Sequence, residues 1–70
     1  MKKESKSDNQ DEDNRAKFLR IYANVPEELR EDILVIVDGK SYTWNSAYLE
    51  VKDHTSLGHK VLKALIGIIL

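Results

Sequence analysis

Cysteine is absent from the 70-residue chain, so neither a disulfide framework nor a cysteine zinc site can staple the fold. A domain of this size buries only about 60% of the surface that its unfolded chain exposes. Stability must then come from a well-packed core or from association with another chain. Glycine is scarce too: Gly39, Gly58 and Gly67 stand alone, and no glycine-rich phosphate loop occurs. Charge of one sign is not in excess, with 11 basic and 12 acidic residues and a net charge of -1. That balance gives no overall pull toward nucleic acid or an anionic membrane. No apolar run is long enough to span a bilayer, and the opening "MKKESKSDNQ" lacks the apolar middle of a signal peptide. The expectation is a cytoplasmic protein with no membrane partner and no cofactor.

What is present divides in two. From Met1 to Asn14 the only apolar side chain is the initiator Met1, so this segment cannot offset the entropy of ordering it. Residues 1–14 are predicted to be a disordered, charged tail, with Lys2, Lys3 and Lys6 ahead of Asp8, Asp11, Glu12 and Asp13. Residues 15–70 are predicted to be a single small domain. Its charge is close to balanced, with eight Lys and Arg against seven Asp and Glu.

Within the domain, Phe18, Ile21, Tyr22 and Val25 fall at helical spacing and predict a helix from about Asn14. Leu19, Ile21 and Ala23 also alternate, which leaves a strand as the other reading. Asn24, Pro26 and Glu27 then carry the signals of a second helix start, predicted to end near Asp32 with Leu29 and Ile33 turned inward. "ILVIV", Ile33 to Val37, reads as a buried strand. Asp38-Gly39 fits a two-residue type I′ turn, which pairs Val37 with Lys40 and Val35 with Tyr42. Residues 44–53 read as a helix capped by Thr43, or as a strand through Ala47, Leu49 and Val51; the cap favours the helix. Thr55 or Ser56 caps a last helix running from Leu57 toward Leu70, whose apolar positions sweep an arc of roughly 200°. The fold class predicted is α+β, with helices packed on a β-hairpin.

"VPEELREDILVIVDGKSYTWNSAYLEV" followed by "TSLGHKVL" resembles a set of short archaeal proteins. Those pair a P-E-E-L-R-like helix with a D-G-K-x-Y-T-W hairpin and a T-x-L-G-x-K-like final helix. The similarity covers Val25 to about Leu65. It implies an archaeal or archaeal-virus intracellular origin and brings neither an established activity nor catalytic residues.

No enzyme chemistry is legible. His54 and His59 lie five apart across a helix start and have no third ligand, so no metal site is expected. Ser41, Ser46 and Ser56 lack a base at recognisable spacing, and Glu50 with Asp53 reads as a solvated pair. Two binding readings remain. The apolar arc of the last helix is wider than one core requires, which points to a protein–protein interaction module that self-associates through Leu62, Ile66 and Ile69. The alternative is a small nucleic-acid-binding accessory protein. In it Tyr42 and Trp44 stack bases while Lys40, Lys52 and the lysines of the last helix hold phosphates. Against that alternative, large aromatics in a chain this small are needed for its core.

Overall fold

Positive φ at both Asp38 (54°) and Gly39 (79°) reverses the chain in two residues, the geometry a type I′ hairpin turn requires. The computed structural model describes the backbone of residues 2–70 and the side chains of residues 11–70. Strands β1 (Ile33–Val37) and β2 (Lys40–Thr43) flank the turn and pair antiparallel, with Val37 opposite Lys40 and Val35 opposite Tyr42, as the sequence predicts. Three helices accompany them: α1 (Lys2–Ala23), α2 (Trp44–Lys52) and α3 (Ser56–Leu65). The α+β class, with helices packed on a hairpin, is the observed architecture.

Side chains from the three helices and β1 close one core. Phe18 of α1, Val37 of β1, Ala47 and Val51 of α2, and Val61, Leu62 and Leu65 of α3 are buried together. Thr43 starts α2 as expected. Its Oγ1 accepts from the Ser46 N–H at 3.1 Å while Ser46 Oγ accepts from the Thr43 N–H at 2.9 Å. This reciprocal pair satisfies two donors that a helix start leaves without intrahelical partners. The strand reading of residues 44–53 is thereby closed in favour of the helix.

Three expectations need correction, and one is refined: the helix predicted from about Asn14 is α1, with Asp11 to Asn14 inside it. The second helix is only a single 3-10 turn, Glu27–Leu29. Asn24 does not cap it, because its Nδ2 donates back to the Arg20 carbonyl at 3.2 Å; Leu29 is left exposed. Strand β1 is buried on one side only. Its register shifts between Ile33 and Val35, so Leu34 and Val35 both pack toward the core while Ile33 and Ile36 stay about two-thirds exposed. A two-stranded sheet with helices on one face has nothing to cover the other. Finally, α3 ends at Leu65, five residues early. Gly67 takes φ of 87°, and the N–H groups of Ile68, Ile69 and Leu70 all turn back to the Leu65 carbonyl.

Helices α2 and α3 approach closely at Gly58. A Cβ on Gly58 would collide with the Glu50 carbonyl oxygen and stand 3.0 Å from Val51 Cα. Gly58→Ala should therefore destabilise the fold. Helix propensity favours Ala by about 1 kcal/mol, whereas forcing helix backbones apart costs more, so a net loss of about 2 kcal/mol is expected. Urea unfolding measures it, and an Ala variant as stable as the parent would contradict the contact.

Candidate nucleic-acid interface

Only Asp53, His54 and Thr55 separate α2 from α3, a link of the length found in helix–turn–helix units. Each link residue has a defined task. Asp53 closes α2, with its N–H donating to the Leu49 carbonyl at 3.1 Å. His54 reverses the chain at φ of 58°, a left-handed conformation uncommon for a residue with a Cβ. Thr55 then locks the corner. Its Oγ1 accepts from the Gly58 N–H at 2.9 Å, capping α3, and donates to Glu50 Oε1 at 2.6 Å. Its N–H also reaches the Glu50 carbonyl at 3.2 Å. Glu50 is thus a corner brace, and its expected pairing with Asp53 as two solvated carboxylates does not describe it.

The buried side of α3 is apolar and its open side is not. Val61, Leu62 and Leu65 enter the core, while Ser56, His59, Lys60 and Lys63 are exposed. Positions 56, 59, 60 and 63 repeat at helical spacing, so these four share one face. No carboxylate lies anywhere along α3. Lys60 Nζ reaches Asp38 Oδ2 at 2.9 Å, but both side chains are more than half exposed. A pair that open contributes at most about 1 kcal/mol, so Lys60 can exchange Asp38 for another anion at little cost. Lys52, at the last turn of α2, adds a further exposed cation.

The hairpin aromatics are placed differently from the stacking platform considered above. Trp44 lies parallel to Phe18, with ring centroids 6.1 Å apart and planes 14° from parallel, and Phe18 is fully buried. Tyr42 is half-buried against the same core. Lys40 and Lys52 are exposed, while Tyr42 and Trp44 are both partly buried against the core. The aromatics serve packing, as residues of this size do in a small core.

The self-association residues are dispersed as well. Leu62 is 5% exposed and belongs to the core, which corrects its assignment to a free flank. Ile69 is partly buried against that core, and only Ile66 of the three is largely exposed. The early end of α3 takes Ile66 and Ile69 off the helical arc, whereas Leu62 turns inward within the helix.

A cleft of about 320 Å³ lies beside the corner, between α1 and the start of α3. Asp11, Glu12 and Arg15 line one wall, and His54, Ser56 and His59 line the other. The two histidines, read from sequence as unrelated, both border this cleft. Across it, Asp11 Oδ2 approaches His59 Nδ1 at 3.1 Å, and Glu12 pairs with Arg15 at 2.9 Å. No cluster of three or more metal-ligating side chains occurs among the described residues.

Sequence reasoning missed the Gly58 contact and the Thr55–Glu50 brace. A glycine inside the first turn of a capped helix was the available signal, because an internal glycine costs helix stability and calls for a packing reason. The Asp11–His59 pairing left no trace in the sequence, since 48 residues separate the partners. No protein-family model, curated protein sequence or solved structure matches the chain.

Proposed function

We propose that the protein is a non-enzymatic binder of duplex DNA that presents the open face of α3 to the major groove. The observation that carries this reading is a braced helix–turn–helix corner whose second helix exposes Ser56, His59, Lys60 and Lys63 with no carboxylate among them. A helix fits the width of the major groove, and the N-terminal residues of such a helix reach base edges while cations hold phosphates. Fold alone does not assign function, so the weight rests on the composition of this face. A duplex is favoured over single strands because Tyr42 and Trp44 are engaged in core packing, whereas stacking on bases needs freely exposed rings. DNA binding also accords with the cytoplasmic location that the sequence leads one to expect.

Affinity for a mixed-sequence duplex, followed by fluorescence anisotropy at several salt concentrations, tests the proposal. Binding should weaken steeply with salt, and Lys60→Ala with Lys63→Ala should flatten the log–log slope by about 1 for each phosphate that is no longer neutralised. A duplex affinity unmoved by that double substitution would contradict it.

A second reading, self-association, is supported by Ile66 and Ile68, which are 53% and 70% exposed in the turn after α3. Two copies meeting there would form a homodimer, and paired helix–turn–helix units read two half-sites. Sedimentation at high concentration should then give a dimer, and Ile66→Glu should yield a folded monomer by setting a charge against apolar surface. A monomeric parent protein would overturn this second reading and leave the first intact.

A further inference from the structure

We infer that the acidic pair Asp11 and Glu12 of α1 is an autoinhibitory element that occupies part of the DNA-facing surface of α3. The inference rests on the DNA-binding reading and adds its regulation. Asp11 Oδ2 stands 3.1 Å from Nδ1 of His59, one of the four exposed residues on the α3 face. Asp11 and Glu12 form a wall of the cleft that Ser56 and His59 border from the other side. Ser56 and His59 occupy the N-terminal half of α3, the part that enters a groove most deeply in helix–turn–helix readers. A carboxylate placed there stands where a phosphate or a base-edge acceptor would, and it repels the backbone of an approaching duplex.

The pairing is also easy to release. The side chains of Asp11 and His59 are 48% and 49% exposed, so their attraction is screened and weakly held. Arg15, on the same wall, pairs with Glu12 at 2.9 Å. The carboxylate therefore competes for the α3 face without being anchored in the core. Displacement by DNA of high affinity, or by a partner that draws α1 away, would open Ser56 and His59.

The test compares three full-length proteins on the same mixed-sequence duplex: the parent, Asp11→Asn with Glu12→Gln, and Glu27→Gln with Glu28→Gln. The second pair removes the same charge from the 3-10 turn beyond the other end of α1. Twelve helical residues separate Asp11 from Ala23, about 18 Å along the axis. That exceeds the screening length of about 10 Å at 0.1 M salt. The Asp11/Glu12 pair should bind about tenfold tighter than the parent, reflecting relief of like-charge juxtaposition. The Glu27/Glu28 pair should change affinity by less than about threefold at that ionic strength. Equal gains in both variants, or no gain in either, would overturn the inference while leaving DNA binding established. Failure of all three to bind at low salt would refute the DNA-binding reading and this inference with it.

Discussion

The close passage of Gly58 against the Glu50 carbonyl is the constraint on which the other features of the domain depend. With a hydrogen atom in place of a side chain, α3 approaches the backbone of α2 to within a distance no Cβ would permit. That approach brings Val61, Leu62 and Leu65 onto Ala47 and Val51, and so builds the larger part of the core. It also sets the rotation of α3. Once 61, 62 and 65 face inward, 56, 59, 60 and 63 must face outward. One backbone contact thereby fixes both what holds the domain together and which side chains it offers to a ligand.

Around this pair of helices the remaining elements act as a clasp. Tyr22 near the end of α1 lies against Tyr48 of α2, with centroids 4.2 Å apart, and its hydroxyl donates to Asn45 Oδ1 at 2.6 Å. The Arg30 guanidinium sits 4.4 Å from the same ring, so Tyr22 is held between a cation and a second aromatic. Arg30 also donates to the Val25 carbonyl at 3.1 Å. The backbone closes the joint: Asn45 N–H meets the Arg30 carbonyl at 3.1 Å, and Trp44 N–H meets that of Asp32 at 3.2 Å. These bonds use polar groups that the short 3-10 turn leaves free, which is how a chain without cysteine secures its longest loop.

Local signals were legible wherever one residue type meets one backbone requirement. Asp38-Gly39 announced positive φ and so the hairpin register, and Thr43 and Thr55 announced two helix starts. Signals that needed a partner were not legible. Apolar periodicity continues past Leu65, but Gly67 turns the chain back onto the Leu65 carbonyl, and periodicity cannot register a bond of that kind. Ile36 looked buried because β1 is apolar throughout, yet how many faces of a sheet are covered is decided by the whole topology. The composition of residues 11–14 argued against order, yet they lie in a helix that Phe18 and Tyr22 hold further along, and Asp11 and Glu12 find partners in His59 and Arg15. As for the candidate interface, Lys60 and Lys63 were visible as cations. Their sharing of a face with Ser56 and His59 followed only once Gly58 had fixed the helix.

Backbone amide chemical shifts of the labelled protein, followed while a short DNA duplex is added at low salt, test the account most directly. Presentation of α3 to the groove predicts that perturbations concentrate on Thr55–Lys63 and Lys52, with little change at Ile33–Ile36 of the hairpin. Asp38 should move as well, because it gives up Lys60; perturbations centred on Ile33–Ile36 and absent from α3 would contradict the account.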